Sequence, residues 1–123
     1  LKKITLQTGL NSSQMPDFYR KNDILFFPTR YEGFSMAALE AVSSGLCLIG
    51  SDFAVTPEFI NYPFCQQIHF NTQIEEIVKG IIKLYDEFHN KKQEIHNQIK
   101  KDFGTEQYKQ KLFSFINKII ENK

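Results

Sequence analysis

Apolar and polar positions alternate at the start of the chain and gather into runs further on. Residues 3–7, KITLQ, set Ile4 and Leu6 two apart and stop before Thr8-Gly9, which predicts a short strand. Asn11-Ser12-Ser13 supplies candidate helix caps, and MPDFYRKN reads as a short helix with Pro16 in its first turn. Residues 24–28, ILFFP, form a continuous apolar run behind Asp23, the pattern of a strand buried on both faces of a parallel sheet. The loop TRYEG follows. FSMAALEAVSSG then places Phe34, Ala38, Ala41 and Val42 on one helical face, with Gly45 as the stop. LCLIG, residues 46–50, is a second fully apolar run, closed by Ser51-Asp52.

Further along, TPEFI predicts one helical turn, with Thr56 as N-cap and Pro57 at the first position, broken by Tyr62-Pro63. QIHF, residues 67–70, predicts a short strand. From Ile74 the helical period is strong, through Ile77, Val78, Ile81, Ile82, Tyr85 and Phe88, with Asn71-Thr72 as caps. Residues 91–101 are polar apart from Ile95 and Ile99 and predict a solvated helix. Gly104 marks a break. A last helix, 105–121, aligns Tyr108, Leu112, Phe115, Ile116 and Ile119, with Phe113 and Ile120 on its flank. Strands alternating with helices predict a parallel α/β sheet with right-handed crossovers. In such sheets ligands bind at the carboxyl ends of the strands.

Length sets one compact unit, since 123 residues is ordinary for a single domain. With 41% hydrophobic residues the chain can fill a core. A formal net charge of +1 gives no overall field favouring nucleic acid or an anionic membrane. Two cysteines make no disulfide framework, and Cys47 sits in an apolar run as a small hydrophobe, so a reduced, cytoplasmic protein is expected. No apolar run approaches the length of a membrane span. LKKITLQTGL enters a strand without introduction, as expected of a piece of something longer.

The chemistry concentrates where the first apolar run meets the next helix. A helix N-terminus offers backbone N–H groups and the positive end of a dipole, which suit a phosphate. Gly33 lets the backbone approach a ligand closely, and Ser35 and the alanines after it are small. Glu32 lies before this N-terminus and Glu40 about six residues inside it, roughly 9 Å along the axis. A nucleoside diphosphate sugar spans all three zones, and carboxylates suit vicinal hydroxyls. Read singly, Glu32 is a favourable charge near a helix start and Glu40 a solvated helix residue. Against this, Glu40 lies among Ala37, Ala38, Leu39, Ala41 and Val42 with no helical charge partner.

The whole stretch, Tyr19 followed by D-I-L-F-F-P-T-R-Y-E-G-F-S-M-A-A-L-E-A-V-S-S-G-L-C-L-I-G-S-D and then T-P-E-F-I, resembles the C-terminal domain of retaining glycosyltransferases with two Rossmann domains (the GT-B fold). Within these it resembles the group 1 (family 4) set, whose hallmark E-x(7)-E is met here by Glu32 and Glu40. The resemblance is close over residues 19–60 and loose beyond. It implies a Rossmann-like parallel sheet flanked by helices, a partial C-terminal half of such an enzyme. It implies a hexosyltransferase acting on a UDP- or GDP-linked sugar, with no cofactor and no essential metal, in glycolipid, lipopolysaccharide or polysaccharide synthesis. By the resemblance Glu32 contacts the donor sugar and is the catalytic candidate, while Glu40 contacts the ribose. The backbone at Gly33, Phe34, Ser35, Met36 and Ala37 serves sugar and diphosphate, and Glu58 matches a recurrent acidic position that serves equally as a first-turn helix charge. Tyr19 and Asp23 match a structural helix end. His69, His89 and His96 match nothing catalytic, and their spacing suggests no metal site.

The departures are also informative. Ser35 stands where Gly is common, Ser43 and Ser44 flank the usual Ala, and Leu46-Cys47 replaces an x-Pro step. The basic residues that clamp the diphosphate in the family lie upstream of residue 1, and neither Arg20 nor Arg30 takes their place. The resemblance thus implies a missing N-terminal acceptor domain as partner, with the last helix packing on it or self-associating. The full-length protein would then sit in the cytoplasm or at the membrane's cytoplasmic face, and the piece alone would be inactive. Three other readings stand behind this one. They are a sugar-nucleotide epimerase of the same plan, an inactive donor-like scaffold, and, at a distance, a flavodoxin-like regulatory domain.

Overall fold

A computed structural model describes residues 6–55 and 57–121. Their order is α1 (Met15–Arg20), β1 (Ile24–Phe27), α2 (Met36–Ser43), β2 (Cys47–Ser51), β3 (Cys65–Ile68), α3 (Ile74–Phe88), α4 (Lys92–Phe103) and α5 (Thr105–Glu121). The three strands form one parallel sheet in the order β1-β2-β3. Leu25 stands opposite Leu48, and Ile49 opposite Gln66. This is the expected α/β architecture, a Rossmann-like sheet flanked by helices.

Burial follows from the sequence runs. All five residues of β2 are buried, as in the central strand of a sheet covered on both faces. The main core joins Leu48 and Ile49 of β2 to Val42 of α2, Leu84 of α3, and Ile95 and Ile99 of α4. A smaller cluster gathers Tyr19, Ala41 and Leu46 between α1 and α2. At roughly 1.5–3 kcal/mol for each large side chain buried, these contacts supply the main drive to fold.

Helix α2 ends as its sequence requires. Gly45 has φ of 91°, its amide donates to Val42 O, and the amide of Leu46 reaches Ala41 O at 3.1 Å. That is the left-handed helix stop for which glycine is suited. The backbone of Lys92 lies against the same glycine, and α4 packs on α2. The Lys92 ammonium then donates to the carbonyls of Arg20 and Asn22, at 3.0 and 2.6 Å, and pairs with Asp23 at 2.9 Å.

Several expectations are corrected. Leu6 and Gln7 lie outside any strand, and the rest of the strand predicted at 3–7 falls outside the described residues. β1 is not buried on both faces, because it is an edge strand of the described sheet; Phe26 is 44% exposed. Asn11 does not cap α1. Its carboxamide oxygen instead accepts from the amides of Ser13 and Gln14 in the preceding turn, and Gln14 holds the cap position. Nor do Asn71-Thr72 cap α3: Thr72 Oγ1 accepts from the amide of His69, and Gln73 occupies the cap position. Residues 57–60 form turns rather than a helix, and Thr56 is outside the described residues. The third strand is Cys65–Ile68, two residues before the expected start, because its register is set by pairing with β2. Helix α4 is more than a solvated helix, since Ile95 and Ile99 are buried to within 2%.

Candidate functional site

The carboxyl ends of β1, β2 and β3 lie side by side because the strands are parallel neighbours. The loops that leave them are tied together by rings. Tyr31, in the loop after β1, packs on Phe53 after β2, with centroids 6.1 Å apart. Phe34 packs on Phe59 of the β2–β3 connection at 5.8 Å. The Arg30 guanidinium lies 5.4 Å from the centre of the Phe70 ring after β3. One hydroxyl adds to this, with Ser51 Oγ donating to Thr29 O at 2.5 Å. The loop at 28–35 is therefore anchored from all three strand ends.

The start of α2 is built by Ser35, the N-cap. Its side chain is almost wholly buried, and its Oγ accepts from the amide of Ala38 at 3.2 Å. The first full helical bond, Leu39 N to Ser35 O, follows at 3.0 Å. This leaves the amides of Met36 and Ala37 without a hydrogen-bond partner among the described residues. Just before them, Glu32 and Gly33 form an exposed apex. A side chain at Gly33 would meet nothing within 4 Å, so this approach is open.

Glu40 is the fifth residue of α2 and looks toward α1. The Tyr19 hydroxyl donates to its Oε2 at 3.4 Å, a long bond. Burial, and then the charge of Glu40, push the Tyr19 phenol up from its ordinary value. Glu40 also lines a cavity of about 340 Å³ with Ser12, Met15, Pro16, Tyr19, Ser43 and Ser44. That volume falls in the ordinary range of small-molecule sites, about 300–1,000 Å³. Wider clefts exist elsewhere, such as the one of about 400 Å³ bordered by Lys79 and Lys83, but none of the candidate residues lines that one.

The structure thus brings Glu32, Gly33, Phe34, Ser35, Met36 and Ala37 into one loop and helix start, with Glu40 one turn further on. Glu58 is exposed in the β2–β3 connection, next to the Phe59 that touches Phe34. The sequence reading gave Tyr19 a structural part only and gave Phe59 none. Neither contact has a local signal, since Tyr19 and Phe59 lie 21 and 25 residues from their partners. Two of the three histidines set a ring nitrogen against a backbone carbonyl, in one case that of Ser43, which lines the Glu40 cavity. His96 Nδ1 faces Ser43 O, and His89 Nδ1 faces Tyr85 O, each at 2.6 Å.

Comparison with known proteins decides the family. The model of the glycosyl transferases group 1 family matches residues 1–102. The chain belongs to this family. It is also 33% identical over 52 residues to an uncharacterized 41.2 kDa protein in the cps region of Klebsiella pneumoniae, covering 42% of this chain and 14% of that protein. It is 33% identical over 48 residues to the lipopolysaccharide core biosynthesis mannosyltransferase LpsB of Rhizobium meliloti (strain 1021), covering 39% of this chain and 14% of that enzyme. The matched stretch is therefore a small part of each relative. No solved structure matches significantly. Membership supports glycosyl transfer in general as the chemistry that this group 1 domain serves. Among the described residues no helix is long and apolar enough to cross a membrane.

Proposed function

We propose that this domain binds the nucleotide-sugar donor of a retaining hexosyltransferase of the cell envelope. The observation that carries this reading is the α2 start, where two unfilled amides lie between an exposed Glu32 and the cavity lined by Glu40. In the proposed complex the diphosphate of a UDP- or GDP-sugar sits on the amides of Met36 and Ala37, where the helix dipole adds to the attraction. Glu40 accepts hydrogen bonds from the ribose hydroxyls, and its cavity receives the nucleoside. Glu32 holds the sugar and steadies charge at the reacting carbon, while Glu58 borders the same loops. The amides are fixed before the leaving group departs, so they stabilise its charge without rearrangement and without an essential metal.

The proposed whole enzyme is longer. Helix α5 supports this, since none of its residues is buried and Leu112, Phe115 and Ile119 are all more than 40% exposed. We assign this stripe to packing against a further, acceptor-binding domain, and the chain alone to weak donor binding without transfer. The likeness to an enzyme of lipopolysaccharide core synthesis favours a cell-envelope acceptor, reached from the cytoplasmic face.

Calorimetric titration with UDP- and GDP-sugars tests the reading. Glu40→Gln in the complete enzyme should weaken binding of the true donor by about 1.5–3 kcal/mol, the scale of a hydrogen bond to a charged group. An unchanged dissociation constant would remove the ribose assignment.

A further inference from the structure

We propose that Phe103, at the end of α4, is a positioning residue for the start of α2, acting through Phe34 and Phe59. The inference rests on the donor-binding reading of that helix start, but its physical core does not. Phe34 immediately precedes the N-cap Ser35. Before it, Gly33 has open space around it and Glu32 is exposed, so the apex has little of its own to hold it. The hold on this side is the Phe34 ring. It lies 5.8 Å from Phe59 and 6.4 Å from Phe103, and those two rings are 5.7 Å apart, all tilted by 33–41°. The three rings form a closed triangle drawn from the α2 lead-in, the β2–β3 connection and α4.

Two members of the triangle are fixed from behind. Phe59 is fully buried in the main core. Phe103 is the last residue of α4, and the residues on either side of it are constrained. Asp102 accepts a hydrogen bond from the Tyr62 hydroxyl at 2.5 Å and another from Gln98 at 2.9 Å. At Gly104 a side chain would stand 2.3 Å from the carbonyl of Lys100, so the chain passes from α4 to α5 through a joint that only glycine fits without rearrangement. The ring of Phe103 is thus placed by the α4–α5 joint and in turn braces Phe34. Phe103 touches no proposed donor atom. It sets where the amides of Met36 and Ala37 point, by holding the residue that leads into them.

Hydrogen exchange decides this without reference to any ligand. The amides to follow are those of Ala38 and Leu39, which are hydrogen-bonded to Ser35. In Phe103→Ala they should exchange about tenfold faster than in the parent, as expected for loss of an aromatic contact. The amides of β2 should be unchanged, and Phe103→Leu, which keeps the bulk, should restore much of the protection. Should Phe103→Ala fail to fold, Phe34→Ala opens the triangle from its exposed corner and should produce the same local loss. Unaltered exchange at Ala38 and Leu39 in the variant that folds overturns the proposal, as does acceleration spread evenly over the sheet. Titration of the same proteins with UDP and GDP then separates the two ideas. Weaker nucleotide binding in Phe103→Ala joins the brace to donor binding. A parent that binds neither nucleotide in the complete enzyme refutes the donor reading alone, and the exchange result still decides the brace.

Discussion

The Tyr19 hydroxyl stands 3.4 Å from Glu40 Oε2, across the gap between α1 and α2. At that length the bond orients the carboxylate more than it stabilises the fold. It leaves the other carboxylate oxygen for a ligand, in a cavity that both side chains line. Tyr19→Phe should therefore cost less than about 1 kcal/mol in denaturant unfolding. It should weaken nucleotide binding less than Glu40→Gln does. A larger loss of affinity for the tyrosine variant would make Tyr19 itself a ligand group.

Glu32→Gln should behave differently from Glu40→Gln in the complete enzyme. Its proposed contact is to the sugar, so turnover should fall by more than the affinity for the bare nucleotide, which should stay within about 0.5 kcal/mol. Steady-state kinetics beside titration with UDP or GDP would separate the two. Equal losses for nucleotide and nucleotide sugar would contradict this division of labour.

Ser35 caps α2 with a buried hydroxyl. Ser35→Ala leaves the amide of Ala38 unpaired and should cost about 1 kcal/mol of stability. Urea unfolding measures it directly. Ser35→Thr should recover part of the loss, and a neutral Ser35→Ala would mean that water replaces the hydroxyl at this helix start.

Gly45→Ala should be far more costly. The residue has φ of 91°, and an added Cβ would lie 2.6 Å from the carbonyl oxygen of Lys92. Backbone strain and overpacking together should cost about 2–4 kcal/mol. The melting temperature would fall accordingly, whereas a variant of parental stability would show that α2 and α4 separate readily.

The protein should lose stability in alkali. Burial, followed by the negative charges of Asp23 and Glu87, pushes the Cys47 thiol up to about 12 from an ordinary 9.0. The folded chain then keeps this proton after the unfolded chain has released it. The stabilisation is complete below pH 9 and declines from there to about pH 12, at up to about 1.4 kcal/mol per pH unit. Tyr19, Tyr62 and Cys65 are raised in the same direction, each by burial first. Cys47→Ala should lower stability at neutral pH yet flatten the alkaline decline. An equally steep decline in that variant would shift the effect to the other three groups.

Most of the fold was legible because its strands and helices are written in local periodicity. The apolar runs at 24–28 and 46–50 became β1 and β2, and the repeat starting at Ile74 became α3 from its first residue. What escaped the sequence depends on distant partners. The edge position of β1 follows from strand order, and the strand at Cys65–Ile68 has glutamines where a pattern would need apolar groups. The burial of Ile95 and Ile99 follows from docking, which two isoleucines in a polar helix do not announce. At the candidate site the loop, the small residues after it and both glutamates were readable from spacing. The cavity beside Glu40 and the ring contacts that fix the loop were not, since α1, the β2–β3 connection and α4 come to them from elsewhere in the chain.

The Lys92 ammonium has consequences for the order in which the molecule assembles. Its two carbonyl acceptors lie 72 and 70 residues earlier in the chain. Closing so long a loop is slow relative to forming β1, α2 and β2, which are neighbours in sequence. The latch should therefore engage after the rate-limiting barrier, when α4 settles onto an already folded β1-α2-β2 unit. Lys92→Met, which keeps the apolar stem, should leave the refolding rate nearly unchanged and speed unfolding by about five- to thirtyfold, matching about 1–2 kcal/mol for a partly exposed ion and its hydrogen bonds. Stopped-flow refolding that slows in proportion to the lost stability would instead put α4 in the folding nucleus. With a late latch, α4 and the α5 that follows it would be the first parts to detach, and the Phe103 side of the ring triangle would go with them.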